Sequence, residues 1–177
     1  MLVMDLRYPI GTFAFEGEIS QAQRTEWIQD IDELPVKLRE AVQGLSQDQL
    51  NLPYRDGGWT IRQVVHHVAD SHMNSYIRFK LALTEENPAI KPYYEDRWAA
   101  LTDSLTGDIE LSLSLLEPLH RRWVILLNAM GEADYRREFY HPESKKLSRL
   151  DYSLGVYAWH GKHHTAHITA LRDRLGL

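Results

Sequence analysis

The sequence predicts an all-α fold, a four-helix bundle with short additional helices in its connections, on three observations. Apolar residues recur at three- and four-residue steps in long stretches, as they do in helices with one buried face. Residues that cap or break helices stand at the ends of those stretches. Nowhere do Val, Ile and aromatic residues alternate strictly over the length of a strand. Helices of this kind bury their apolar faces against one another.

Residues 1–19 read as an extended or irregular opening, with Pro9, Gly11 and Gly17 breaking any period. From about Gln21 the pattern is helical, since Trp27, Ile28, Ile31, Leu34, Leu38, Val42 and Leu45 share one face. Pro35 lacks an amide hydrogen and is expected to kink or split this helix, and Gly44 and Ser46 mark its end. Asp56-Gly57-Gly58 forms a turn. Thr60 with Gln63 then fits a capping box, in which each side chain satisfies the other's orphan amide. That helix should reach about Thr84. Residues 87–103, with Pro88 and Pro92, read as a long connection holding a short helix around Asp96–Leu101. Asp108 to Met130 makes a third long helix, bent near Pro118, followed by a polar, irregular stretch over 131–147. Ser148, with Asp151 three residues on, resembles a cap opening a last helix that ends near Gly176. No repeat or linker divides the chain, so residues 1–177 read as a single helical domain.

Composition narrows the function. Hydrophobic residues make up 44% and charged residues 25%, a globular balance, and the net charge is -5. The basic clusters Arg121-Arg122, Arg136-Arg137 and Lys145-Lys146 are isolated pairs, which argues against nucleic acid as a partner. No run is long and apolar enough to span a membrane, and the start lacks the pattern of a targeting signal, so a cytoplasmic protein is expected. The chain has no cysteine. Thiolate nucleophiles and Cys-ligated zinc are thereby excluded, leaving histidine and carboxylates as ligands.

Nine histidines are present, unevenly spread. His160, His163, His164 and His167 fall in one run, and His66, His67 and His72 in another. Histidines four apart on a helix project from one face and can share an ion. Both His160/His164 and His163/His167 have that spacing. The apolar stripe of Val156, Tyr157, Ile168 and Leu171 also contains His160 and His164, which points this pair at the bundle interior. On the second long helix the apolar face is marked by Ile61, Val64, Val65, Val68, Tyr76 and Phe79. Pattern alone selects His72, near the centre of that face, as the third ligand, with His67 toward its edge and His66 farther round.

Two motifs carry a resemblance that decides otherwise. The string Gly58-Trp59-Thr60-Ile61-Arg62-Gln63-Val64-Val65-His66-His67-Val68-Ala69-Asp70-Ser71 resembles the signature of the DinB-like superfamily. In that superfamily an aromatic residue precedes a capped helix, and a metal-binding histidine follows eight positions later, here His67. Trp159-His160-Gly161-Lys162-His163-His164 resembles the second motif, two histidines four apart that complete a three-His site. The opening Asp5-Leu6-Arg7-Tyr8-Pro9-Ile10-Gly11 and the stretch Pro53-Tyr54-Arg55-Asp56-Gly57-Gly58-Trp59 are similar to the YfiT branch. The resemblance implies a four-helix bundle, a zinc or nickel ion held by His67, His160 and His164, and a homodimer. It also implies a metal-dependent hydrolase, or a transferase that activates a low-molecular-weight thiol such as bacillithiol or mycothiol.

Three neutral histidines leave a position on a divalent ion open, as in catalytic rather than structural sites. An open position takes water, whose pKa falls toward about 7, or a thiol, which is deprotonated. The ligands alone do not choose between hydrolysis and thiol transfer. Asp70, three residues after His67, is the candidate for orienting a ligand or taking a proton. Tyr157 and Trp159 read as core or pocket wall, and Arg62 and Arg78 as surface salt bridges or contacts to an anionic substrate. Two other classes compete. A di-iron bundle would use Glu117-Pro118-Leu119-His120 and Glu138-Phe139-Tyr140-His141, and a non-catalytic metal-binding protein would keep a closed site. A zincin is excluded because Gly161 follows His160.

Overall fold

The computed structural model describes residues 5–177. The first four residues of the expected irregular opening lie outside the described residues, and residues 5–20 are turns and extended backbone. Eight helices and a hairpin follow: α1 (Gln21–Val42), α2 (Gln47–Leu50), α3 (Ile61–Thr84), α4 (Glu95–Ala99), α5 (Thr102–Thr106), α6 (Ile109–Ala129), α7 (Glu132–Tyr135), β1 (Glu138–His141), β2 (Lys146–Arg149) and α8 (Leu150–Leu175). The four long helices α1, α3, α6 and α8 form the bundle. In it α1 packs on α6 and α8, and α3 packs on the same two helices. The first two long helices of the chain therefore stand diagonally across the bundle from one another. No helix is long and apolar enough to cross a membrane, among the described residues.

The helix starts obey their local chemistry. Ser20 Oγ accepts from the Gln23 amide at the head of α1. Thr60 and Gln63 form the reciprocal capping box at α3. The Asp108 carboxylate accepts from Glu110 N to open α6. Both internal prolines are accommodated without a break, so the expected split at Pro35 does not occur. Pro35 cannot bond the carbonyl of Ile31 one turn earlier, and that carbonyl instead accepts from His120 Nδ1 at 2.5 Å.

Two expectations are corrected. Residues 138–149 are an antiparallel hairpin rather than an irregular stretch, with Glu138 opposite Arg149 and His141 opposite Lys146. Each strand has only four residues and only Phe139 is fully buried, too little alternation to register as a period. The long connection fixes the hairpin in place, because Ile90 N donates to Tyr140 O and Tyr140 N to Pro88 O. Ser148, the expected cap of the last helix, belongs to β2. Its hydroxyl meets that of Ser153 at 3.1 Å, and Arg149 occupies the cap position without a capping side chain.

The core has two apolar clusters. One holds Trp27, Ile31, Phe79, Trp123, Leu127 and Leu154. The other holds Leu34, Leu38, Val64, Val68, Leu116 and Ile168. Along α3, α6 and α8 the switch from one cluster to the other falls at His72, His120 and His160–His164. A histidine layer thus crosses the bundle at mid-height.

Candidate metal centre

Two helices, α3 and α8, bring the site together. His67 comes from the second turn of α3, one face round from the buried stripe, and His160 and His164 from successive turns of α8. A ring nitrogen from each of the three lies within 4.8 Å of the others. Nε2 of His67 and Nε2 of His160 stand 3.2 Å apart. Two nitrogens on a tetrahedral ion with bonds of about 2.0–2.1 Å would be about 3.3–3.4 Å apart, so this pair is spaced as two ligands of one divalent ion, with a His164 nitrogen within 4.8 Å of both.

Burial sets the electrostatics. Removal from water depresses His67 to about 4, helped by the nearby His163 and His167. Burial likewise holds His160 and His164 well below their ordinary value, and neighbouring imidazoles add to the effect. A buried imidazolium loses hydration and gains repulsion from its neighbours, so the neutral form, the one that ligates, is favoured. The aromatic roof is Trp59, tilted over His67 with ring centroids 4.7 Å apart and stacked toward His164 at 6.4 Å. The turn before Thr60 aims it there, where Tyr54 N donates to Trp59 O.

Outside the three histidines lies a cleft of about 570 Å³. Tyr157 and Trp159 line it, together with Tyr93, Arg78, Glu95 and, from the hairpin, His141 and Glu143. Tyr157 Oη meets Ser71 Oγ at 3.3 Å, while Trp159 Nε1 donates to Gly11 O at 3.1 Å. Arg78 has no carboxylate partner among the described residues, and its Nε is buried without a hydrogen bond. The surface salt bridge expected of it is therefore not formed. Arg62 does not reach the cleft either. Its guanidinium is a structural clamp on Asn51 Oδ1, Gly107 O and Gln47 Oε1.

Asp70 is not among the residues that line this cleft. It is half-buried, and desolvation together with Asp103 pushes its carboxyl up to about 6. The carboxylate that does approach the histidines is Glu95, at the rim, with Oε2 4.0 Å from His67 Nε2. Sequence spacing could not reveal it, because Glu95 enters from a separate short helix. The di-iron arrangement is absent from the described residues. Glu117 pairs with Arg121 in solvent, whereas His120 is buried against Ile31 O, and Glu138 and His141 lie on β1.

His72, which pattern alone selects, is fully buried beside the triad rather than in it. Its Nε2 meets His160 Nδ1 at 3.1 Å, and its Nδ1 meets His120 Nε2 at 2.9 Å. On the other flank His167 Nδ1 lies 3.3 Å from His164 Nδ1. His163, His164 and His167 form a second group of ring nitrogens within 4.8 Å of one another.

The family model of the DinB superfamily matches residues 30–168. The chain belongs to the DinB superfamily. A relative in Bacillus mycoides (strain KBAB4) is 57% identical over 171 residues, 97% of this chain and 98% of its own length. YfiT of Bacillus subtilis (strain 168) is 53% identical over 176 residues, 99% of both chains. Both carry names that make them probable metal-dependent hydrolases. The solved structure of YfiT from Bacillus subtilis superposes with a TM-score of 0.95 at 54% identity, covering 97% of this chain and 98% of that one. It is described as a probable metal-dependent hydrolase with an unusual four-helix bundle topology.

Proposed function

We propose that this protein is a cytoplasmic metal-dependent hydrolase of a small molecule, with one zinc or nickel ion per chain held by His67, His160 and His164. The observation that carries the reading is the 3.2 Å approach of the Nε2 atoms of His67 and His160, with His164 beside them, where His160 and His164 line an open cleft. When bound, the ion supplies Lewis acidity and lowers the pKa of water toward about 7. Glu95 takes the proton of the attacking group, and Arg78 binds an anionic part of the substrate through the guanidinium edge that no protein group occupies. Trp59 and Tyr157 exclude water from the imidazoles, which strengthens their interaction with a cation. Asp70 has no step in this scheme.

The test pairs elemental analysis with two assays on metal-loaded protein, one with a panel of esters and amides and one with a low-molecular-weight thiol plus an electrophile. About one divalent ion per chain, lost in His67→Ala and His164→Ala, with metal-dependent ester or amide cleavage, is the expected result. Turnover confined to the thiol assay would replace hydrolysis by S-transfer. A chain that takes up no ion would end the metal reading altogether. The homodimer belongs to the same proposal. It predicts twice the 20.6 kDa chain mass in sedimentation, and a monomer would remove it.

A further inference from the structure

The histidines that do not line up as ligands form two chains behind those that do, and each chain ends on a backbone carbonyl. A carbonyl only accepts, so His120 Nδ1 must donate to Ile31 O, at 2.5 Å. Neutral His120 is then left with a bare Nε2, which accepts from His72 Nδ1 at 2.9 Å. Neutral His72 in turn has a bare Nε2, which accepts from His160 Nδ1 at 3.1 Å. His160 therefore carries its proton on Nδ1 and presents Nε2 bare, the atom that faces His67 Nε2. The second chain runs the same way. Arg7 O accepts from His167 Nε2 at 3.0 Å, and His167 Nδ1 accepts from His164 Nδ1 at 3.3 Å, leaving His164 Nε2 bare.

We infer that His72 and His120 on one side and His167 on the other are positioning residues that lock His160 and His164 into the Nδ1–H tautomer, with Nε2 ready for the metal. The inference deepens the proposed function and rests on the three-His reading for its purpose, although the tautomers themselves exist without an ion. The device is built into the fold at an unusual place. The proline at position 35 leaves the Ile31 carbonyl without its helical amide partner, and His120 arrives at that carbonyl from the neighbouring helix α6. His72 and His120 are buried on all sides, at 0% and 1% exposure. Trp123 stands edge-on to both rings, with centroids 5.9 and 5.7 Å away. Metal-bound histidines ordinarily donate their second nitrogen to a carboxylate, carbonyl or water, and loss of that partner costs about 10–100-fold in affinity. Here a neutral imidazole chain does the same work, so the ligands gain orientation without gaining negative charge.

Nitrogen-15 spectroscopy of metal-free wild-type protein tests the tautomers directly. His160 and His164 are expected to show protonated Nδ1 and bare Nε2, and either ring protonated on Nε2 would overturn the inference. Zinc affinity, measured by competition with a chromophoric chelator, gives the second test. His72→Leu should weaken zinc binding by about 10–100-fold. His72→Gln keeps an oxygen near the position of Nε2 to accept from His160, and should stay within about threefold of wild type. Circular dichroism of the metal-free variants checks that each is folded. Equal loss in both variants would mean that His72 acts by packing alone, and no loss in either would mean that it does not act on the metal. Two zinc ions per chain would assign His163, His164 and His167 to a second site and end the His167 arm. Failure of wild type to bind zinc with the predicted tautomers in place would leave the relay standing and remove the metal-centre reading instead.

Discussion

Lowering the pH from 8 to 5 should destabilise the metal-free protein. His67 and His120 each have a folded-state pKa of about 4, against 6.5 for an ordinary histidine, chiefly because burial penalises the charged ring. Between these values the unfolded chain binds protons that the folded chain refuses. Their contribution to stability is thus complete above about pH 6.5 and is lost as the pH falls toward 4. At pH 5 each of the two contributes about 2 kcal/mol less than at pH 8. Asp70 runs the other way. Its carboxyl is raised from 3.8 to about 6 by burial and by Asp103, so protonation below pH 6 favours the folded state, by about 1 kcal/mol after discount for its partial exposure. The net loss from these three groups is about 3 kcal/mol, a large share of the ~5–15 kcal/mol typical of a domain. His72, His160 and His164, depressed by the same cause, push in the same direction. Urea unfolding of chelator-treated protein at pH 8, 6.5 and 5 reads this as a falling midpoint at constant slope. A midpoint that is flat or rises between pH 8 and pH 5 would refute the claim that these imidazoles are buried neutral.

Four further outcomes are expected. Zinc at about 100 times its dissociation constant should add about 2.7 kcal/mol, raising the melting temperature by roughly 5–11 °C, and His164→Ala should abolish the shift in a thermal scan. Glu95→Gln should lower kcat about 100-fold or more, whereas Asp70→Asn should leave kcat within about twofold; steady-state kinetics giving the reverse order would restore Asp70 as the proton-transfer group. Arg78→Met should raise KM for an anionic substrate more than it lowers kcat, and an unchanged KM would remove Arg78 from substrate binding. A Cβ at Gly161 would stand 2.6 and 2.8 Å from the two δ-carbons of buried Leu34. Gly161→Ala is therefore expected to cost about 1–3 kcal/mol, with strong coupling to Leu34→Ala in a double-mutant cycle. Additive effects would mean that α1 and α8 do not meet there.

The four long helices were legible because helical periodicity, caps and turns are local. Thr60 and Gln63 lie on one helical turn and satisfy each other's amides wherever the helix goes. Positions four apart on one helix share a face by geometry alone, which is why His160 and His164 could be paired. The third ligand could not be chosen that way. Helical phase placed His72 at the centre of the buried face and His67 at its edge, and the resemblance pointed to His67. In the folded protein His67 Nε2 meets His160 Nε2 beside the cleft that His160 and His164 line, while His72 is enclosed behind His160. Periodicity reports depth of burial, and an ion that must also meet substrate sits where burial ends.

What the sequence determined by itself is therefore what neighbours along the chain decide: helix starts, amphipathic faces, the spacing of histidines and the exclusion of cysteine chemistry. Tertiary structure decided whatever depends on partners far apart in the chain. The local rule has Pro35 kink or split α1, but His120 from α6 occupies the carbonyl it frees, and the helix continues without a split. The hairpin over 138–149 escaped notice because four-residue strands carry almost no alternation and take their stability from Pro88–Ile90 beside them. Glu95 joined the site only when the connection that carries it closed over the cleft. Hydrogen bonds and electrostatic interactions act over a few ångströms of space, and the distance along the chain between such partners leaves no periodic trace in the sequence.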